Sequence, residues 1–267
     1  MKTKLTNLTK EQFYNYVGLG MSRQAIANEL EVTLHAVRKW MESNSVSLQG
    51  RQLTARKLPI NSNYWKTDGF AEAYWAGFIA ADGSVSEDGR LEIGLQASDE
   101  GHLIKLKEAL GSQHKIEHKL ANRKYPSVYF RPRDSEIVSD LRDIYNIVPR
   151  KSLIYEMPPW ITKTEYMPHF MRGYIDGDGC IHIGDPSHSI TITSGSSNFS
   201  TSVSEWLNYL GIPHGKHTTK DNCTNVTVGS KSGILKLLSV LYDDSTESTR
   251  LDRKFVKYKD MLNKLKV

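Results

Sequence analysis

The sequence predicts an α+β protein of two similar halves, each a four-stranded antiparallel sheet with helices, preceded by a small all-α module. Two observations predict the halves: an Ala/Gly-rich helix ending in Asp-Gly occurs twice, and the same series of strand and helix patterns follows each copy. A third observation separates the module. Residues 1–60 carry 9 Lys and Arg against 4 Asp and Glu, whereas residues 61–267 carry 26 of each. The whole formal net charge of +5 therefore lies in the module.

The composition is that of an ordinary globular protein. The 267 residues are 39% hydrophobic and 24% charged, enough to bury a large core. No apolar run approaches the roughly 18 residues of a membrane span, and MKTKLTNLTKEQ lacks the apolar stretch of a signal peptide. Cys180 and Cys223 form neither a zinc spacing nor a disulfide framework. These features predict a cytoplasmic protein with no membrane partner.

The module, residues 1–46, has the pattern of three short helices. A first helix is predicted at about residues 10–17. In GMSRQAIANELEVTLHAVRKWMESN, residues 20–44, Ser22 and Thr33 are candidate N-caps of a second and a third helix. The apolar positions of these two helices are Ala25, Ile26 and Leu30, then Val37, Trp40 and Met41. Residues 47–62 are polar and mildly basic and are predicted to be a linker.

The spacing in the module resembles the helix-turn-helix of recombinases and small phage regulators. That resemblance implies that the third helix enters the major groove of DNA, where Leu34, His35, Arg38 and Lys39 would contact bases and phosphates. The basic balance of the module favours this interpretation. Glu31 stands in the turn, where such motifs often carry glycine. The alternative is a plain three-helix satellite domain with no ligand.

The first half opens on WAGFIAADGSV, residues 75–85, and the second on MRGYIDGDGCI, residues 171–181. When the two stretches are aligned, Gly77 and Ala81 match Gly173 and Gly177, which are small residues four apart on one helical face. Two helices with such faces can pack backbone to backbone. The pattern predicts a parallel pair of helices whose C-termini lie together.

The same alignment matches Asp82 with Asp178 at the two helix ends. Two carboxylates at the negative ends of two helix dipoles repel each other, so either one pKa rises or a divalent cation binds between them. A bound metal ion is the simpler resolution. The sequence thus predicts a cation site at the paired helix ends.

Similar elements follow each acid in the same order, so each half is predicted to be α-β-β-α-β-β-α. The halves are assigned to residues 63–157 and 158–267. The matched segments are strands at 90–98 and 189–195, helices at 99–111 and 198–211, hairpins at 115–133 and 215–229, helices at 134–147 and 231–242, and the pairs Arg150-Lys151 and Arg253-Lys254.

These two motifs and their matched elements resemble the LAGLIDADG homing endonucleases in the single-chain form, over about 200 residues from Asn63 onward. The resemblance implies two saddle-shaped sheets over double-stranded DNA and a monomer with no nucleotide cofactor. It implies metal-dependent cleavage of both strands of a long asymmetric target, as in the homing of an intron or another mobile element, in a phage, bacterial or organellar setting. Mg²⁺ would be the cofactor, with Mn²⁺ able to replace it.

By the same resemblance, Asp82 and Asp178 are the metal-binding acids, and Lys151 and Lys254 match a lysine that helps to order the attacking water. The sixth motif position differs between the copies, with Ala80 in the first and Asp176 in the second. Asp176 is expected to pack or cap rather than to bind metal.

A polar residue near each acid also helps to order the water in this family, and Gln96 matches it in the first half. In the second half Ser194, Gly195 or Ser196 stands there, depending on the alignment. This departure leaves open whether the two strands are cut equally.

Polar side chains alternate with apolar ones along the predicted strands, and the resemblance implies that they read the major groove. We call this set the reading face. In the first half it comprises Arg90, Glu92, Gln96, Lys115, Glu117, Lys119, Tyr129, Arg131 and Arg133; in the second half it comprises Thr191, Thr193, Lys216, Thr218, Lys220, Asn225 and Thr227.

Two other functions stay open. Some proteins that resemble this family are intron maturases that bind RNA, and nothing in the sequence marks or excludes that activity. Others resemble transcription regulators that lack the acids and carry a helix-turn-helix after the LAGLIDADG scaffold. Here both acids are present and the three-helix module comes first, which favours the nuclease.

Overall fold

A computed structural model of the chain describes residues 5, 8–18, 21, 23–46, 58–119, 126–162, 164–185, 187–219 and 223–266. The chain divides into two compact units, Met1–Leu58 and Pro59–Val267, each with its own hydrophobic core.

The first unit contains three helices, as the sequence predicts: α1 (Lys10–Gly18), α2 (Arg23–Glu29) and α3 (Leu34–Ser43). The predicted cap Thr33 accepts a hydrogen bond from the backbone N–H of Ala36, whereas Ser22 lies outside the described residues. The core contains Phe13, Ile26, Ala27, Val37 and Met41.

Glu31, between α2 and α3, has a φ of 52°. This left-handed conformation is the one that glycine adopts at little cost. The turn therefore has the backbone geometry for which glycine is common, although this sequence places a glutamate there.

The first half of the larger unit follows the predicted order of elements. It contains α4 (Phe70–Asp82), β1 (Gly83–Val85), β2 (Leu91–Gln96), α5 (Glu100–Ala109), β3 (Ile116–Lys119), β4 (Ser127–Phe130) and α6 (Ser135–Tyr145). A short helix, α7 (Pro159–Thr162), leads into the second half.

The second half repeats this order and adds one long helix. It contains α8 (Met167–Asp178), β5 (Gly179–Ile183), β6 (His188–Ser194), α9 (Ser197–Tyr209), β7 (Gly215–Thr218), β8 (Thr224–Val228), α10 (Lys231–Tyr242) and the additional helix α11 (Asp252–Lys266). The predicted α+β class and its two-fold repetition are confirmed.

Each half forms one antiparallel sheet, with strand orders β1-β2-β4-β3 and β5-β6-β8-β7. The two sheets have the same register, since Gly83 lies opposite Ile93 and Gly179 opposite Ile192. Alternate residues are buried along the inner strands β2, β4, β6 and β8, as in Leu91, Ile93 and Leu95 of β2. One face of each sheet therefore covers the core and the other is free to carry polar side chains.

Helices α4 and α8 pack against each other at the centre of one continuous core that both halves share. A Cβ atom added at Gly77 would lie 2.0 Å from the carbonyl oxygen of Phe170, and one added at Gly173 would lie 1.9 Å from that of Tyr74. Only glycine allows the two backbones to approach this closely, which is the reason for the small residues in both motifs.

Residues 59–62, which the sequence assigns to the linker, are bound to the body. The N–H of Asn61 donates to the carbonyl of Leu110, the N–H of Gln113 donates to that of Pro59, and Ser62 donates to Asp134. Residues 47–57 of the predicted linker lie outside the described residues.

Candidate functional site

The two motif acids stand side by side at the C-termini of α4 and α8. A Cβ atom added at Gly177 would lie 3.2 Å from Oδ2 of Asp82, so Asp82 reaches the backbone immediately before Asp178. Asp82 is half-buried, whereas the side chain of Asp178 reaches the surface. The close packing of the helices thus brings together the two carboxylates that the sequence matched.

Desolvation at the helix ends, and then the negative charge of Asp178, raises the pKa of Asp82 from 3.8 to about 6. Desolvation also raises the pKa of Asp178, and the positive charges of Lys151 and Lys254 oppose that rise. Both carboxyl groups therefore ionise less readily than ordinary ones, chiefly because burial removes them from water.

Lys151 and Lys254 are both buried, and each donates to the carbonyl directly after one of the acids. The amine of Lys151 lies 2.5 Å from the oxygen of Gly83, and that of Lys254 donates to Gly179 and, at 3.1 Å, to Ile175. Burial lowers the pKa of both lysines. Each predicted lysine is thus fixed beside its own motif.

The donors at this site fit a magnesium ion. Mg²⁺ is usually held by one or two carboxylates together with water and substrate phosphate, and the site offers the two carboxylates of Asp82 and Asp178. Among the described residues, no group of three or more His, Cys, Asp and Glu side chains could enclose an ion. The site therefore suits an ion that takes its other ligands from the substrate.

Asp176 is fully buried and does not face the acid pair. Its carboxylate accepts hydrogen bonds from Tyr74 at 2.8 Å, from Tyr242 at 2.6 Å and from the N–H of Leu251 at 2.8 Å. Leu251 directly precedes α11, which carries Lys254 in its first turn. Asp176 therefore joins the first motif helix to the segment that positions Lys254.

The register decides which residue of the second half matches Gln96. Since Ile93 matches Ile192, Gln96 matches Gly195. A Cβ atom at Gly195 would lie 2.8 Å from the carbonyl oxygen of Ser152 and 2.9 Å from the side chain of Leu153. The second half thus has no side chain at this position and no room for one.

A cavity of about 350 Å³ lies beside Asp178. Its wall includes Lys151, Ser152, Gly195 and Cys223. In the first half the exposed side chain of Gln96 stands at the matching position. The surroundings of the two acids therefore differ. Alignment of the sequence alone did not identify Gly195 as the counterpart of Gln96.

The reading face of the first half is as predicted along its strands. Arg131 donates to Glu92 and to Glu117 across three strands, and the Lys119 amine and the Arg131 guanidinium lie 4.4 and 4.1 Å from the ring centroid of Tyr129. Two further predicted members, Arg90 and Arg133, are exposed near Asp88, and Lys115 is exposed just before β3. Charged groups of both signs are thus fixed in one surface.

In the second half Thr191, Thr193, Asn225 and Thr227 share one surface. Thr191 and Thr227 lie within hydrogen-bond distance at 3.2 Å, and Thr193 donates to Asn225 at 2.8 Å. These four members of the reading face lie together as predicted.

Lys216 and Thr218 lie on the other surface, contrary to prediction. They pair with the buried residues Val226 and Thr224, and Lys216 donates to Thr201 of α9. The predicted alternation in β7 was displaced by one residue, which reverses every side chain of a strand. His217, opposite Asn225, takes the place on the reading face. Lys220 lies outside the described residues.

In the three-helix module, His35, Arg38 and Lys39 are exposed on α3, while Val37 and Met41 face the module's core. Sequence reasoning missed Cys180 and His182, which are exposed on the edge strand β5 on the same side as Thr191. Alternation with the buried Ile181 was the signal that could have found them.

Comparison with known protein families gives one match in each half. Residues 71–147 match the WhiA LAGLIDADG-like domain, and residues 165–241 match the LAGLIDADG-like domain. Comparison with curated protein sequences found no match. No helix among the described residues is long and apolar enough to cross a membrane.

Several solved structures share the fold. Meganuclease I-SmaMI bound to uncleaveable DNA is 15% identical, and the match covers 72% of this chain and 89% of that one with a TM-score of 0.52. I-AabMI bound to uncleaved DNA is 15% identical over 74% and 91%, with a TM-score of 0.52. I-LtrWI bound to target DNA is 13% identical over 77% and 91%, with a TM-score of 0.53.

Proposed function

We propose that this chain, which belongs to the LAGLIDADG class and carries both motifs in one polypeptide, is a homing endonuclease that cuts both strands of a specific DNA site. The observation that carries the proposal is the meeting of Asp82 and Asp178 at paired helix ends, with Lys151 and Lys254 buried beside them. A protein that only binds DNA has no need of two carboxylates facing a polyanion, because they weaken binding.

Asp82 and Asp178 would hold Mg²⁺, which when bound activates water and stabilises the charge that grows on the phosphate. Lys151 and Lys254 are held by backbone carbonyls close to the acids, so their positive charges can stabilise the attacked phosphodiester and orient water. Lowered pKa values make both amines better able to exchange protons with that water.

The exposed surfaces of the two sheets would bind the major groove on either side of the acids. Arginine, glutamate, threonine and asparagine side chains are present on them, and these can pair with guanine, cytosine and adenine edges. Because the side chains of the two halves differ, the target is expected to be asymmetric. The three-helix module would add phosphate and base contacts through His35, Arg38 and Lys39.

The two strands would be cut at different rates. Gln96 offers an amide that can orient water near Asp82, whereas Gly195 offers no side chain at the matching place near Asp178. We expect a nicked intermediate to accumulate before the double-strand break.

The test is cleavage of a genomic or random DNA library in Mg²⁺, with sequencing of the new ends. The wild-type chain should produce ends at one site, and Asp82→Asn or Asp178→Asn should not cut both strands while still binding the site. Full double-strand cutting by either variant would contradict the proposed site.

One observation favours a second candidate. The first half matches the WhiA LAGLIDADG-like domain, and the chain carries a basic three-helix module. A protein that binds a DNA site and regulates without cutting would also use the two sheets. It would bind the site identified by selection and leave it intact at every metal concentration.

A further inference from the structure

A cleft of about 540 Å³ lies at the outer edge of the second sheet. One wall is the edge strand β5, with Cys180 and His182, and the other is α11, with Lys257, Asn263 and Lys264. The Lys257 amine lies 3.4 Å from the carbonyl oxygen of Ile181, so the helix side chains reach across to the strand.

The cleft continues the reading face. In the register of the sheet Cys180 lies opposite Thr191, and Thr191 lies opposite Thr227. This row of exposed or half-exposed side chains crosses the sheet and ends at the cleft. A DNA backbone that borders the groove over this sheet would therefore pass along α11.

The charge of the cleft suits a phosphate backbone. Lys257, Asp260 and Lys264 are spaced by three and four residues, so they lie on one side of α11, and all three are exposed. Among the described residues neither lysine forms an ion pair. At 1.5 Å per residue the two lysines are about 10 Å apart along the helix, roughly three base-pair rises of B-DNA.

The matching edge of the first half differs among the described residues. The cavity at the matching edge is lined by the strand and turn residues Ser84, Val85, Ser86, Asp88, Arg90 and Glu92. It contains two acids against one arginine, and no helix lines it. The helix wall is therefore specific to the second half.

We propose that the cleft between β5 and α11 is a phosphate-binding site, in which Lys257 and Lys264 hold the DNA backbone on one side of the target only. This inference rests on the proposed function, because it takes double-stranded DNA as the partner. It goes further because it assigns DNA contacts to α11, outside both sheets. The DNA segment bound by the protein would then extend farther on the side of the second half than on the side of the first. Asp260 limits the affinity because its charge opposes the phosphates.

The test compares salt-dependent binding of one identified target by three variants of the full chain. Lys257→Ala with Lys264→Ala should weaken binding to the target and to unrelated DNA alike, and reduce the slope of log K against log salt by roughly 0.9 per lost contact, about 1.8 in total. Asp260→Asn should tighten binding. Cleavage at saturating DNA should keep its position, since none of these residues lines the cavity beside Asp178.

The matched control is Lys231→Ala with Lys236→Ala, which removes the same charge from exposed positions on α10 in the helix layer behind the sheet. Hydroxyl-radical footprinting should show that the cleft variant loses protection at one end of the target, whereas the control loses none. Equal slopes for the cleft and control variants would refute the phosphate site alone. Absence of specific DNA binding by the wild-type chain would refute the proposed function and this inference with it.

Discussion

Replacing Asp82 by asparagine should stabilise the fold while removing an acid of the candidate site. In the folded chain the pKa of Asp82 is raised from 3.8 to about 6, chiefly by desolvation and then by Asp178. Ionising this group is therefore harder in the folded state than in the unfolded chain by about 3 kcal/mol, at 1.36 kcal/mol per pKa unit. That figure is an upper bound, because Asp82 is only half-buried.

The pH dependence has a definite sign. A group whose pKa is raised on folding favours the folded state below its unfolded pKa, and this advantage is lost as the pH rises through the folded value. Wild-type stability should thus fall relative to Asp82→Asn between about pH 4 and pH 6. Above pH 6 the variant should be more stable by up to about 3 kcal/mol, and below pH 4 the difference should vanish.

Urea denaturation in EDTA, followed by tryptophan fluorescence across this pH range, measures the effect. Asp88→Asn is the matched control, since Asp88 is exposed and hydrogen bonding to Ser86 lowers its pKa, so its loss should not stabilise. Addition of Mg²⁺ should stabilise the wild-type chain more than Asp82→Asn. Two outcomes would contradict this reasoning. The variant could be no more stable than the wild-type chain at pH 8, or Mg²⁺ could stabilise the variant as much as it stabilises the wild-type chain.

Three further predictions concern the arrangement around the acids and the module. Asp176→Asn should destabilise the fold by about 2 kcal/mol, because an amide cannot accept all three hydrogen bonds. Kinetics measured for each DNA strand should show slower cutting by the half that uses Lys254. An equal loss of rate on both strands would contradict the role of Asp176 in positioning Lys254. Gln96→Ala should slow cutting of the faster strand and bring the two cutting rates together. A ratio of the two rates unaltered by Gln96→Ala would exclude the water-orienting role. Removal of residues 1–58 takes away a net charge of +5, so the salt slope should decrease while cleavage at saturating DNA keeps its position and rate; an unchanged slope would show that the module does not touch DNA.

The motif helices could be predicted because their requirement is local. Gly77 and Gly173 allow the two helix backbones to approach closely. Asp82 and Asp178 each follow their glycine by five residues. The order of strands and helices followed from the repeat. These features depend on short spacings that the sequence displays directly.

Features that depend on pairing across the sheet were harder to predict. In GKHT, residues 215–218, no apolar residue alternates with polar ones, so the sequence did not show which side chains face the core. Lys216 and Thr218 were therefore placed on the wrong surface. The partner of Gln96 stayed ambiguous until the hydrogen-bonded register selected Gly195. The hydrogen bond from Leu251 to Asp176 joins residues 75 positions apart, and no local pattern predicts it.

The buried hydrogen bond between Tyr74 and Asp176 favours the pairing of a first half with a second half. In the alignment of the motifs, Phe170 occupies the place of Tyr74 and Ala80 the place of Asp176. Two copies of the second half would leave each buried carboxylate facing a phenyl ring without a hydroxyl. Two copies of the first half would deprive each tyrosine of the carboxylate and leave its hydroxyl beside the ring of His102. Pairing of unlike halves is therefore favoured over pairing of two identical halves. A chimaera that exchanges one half with a relative must keep the tyrosine of one half and the aspartate of the other together.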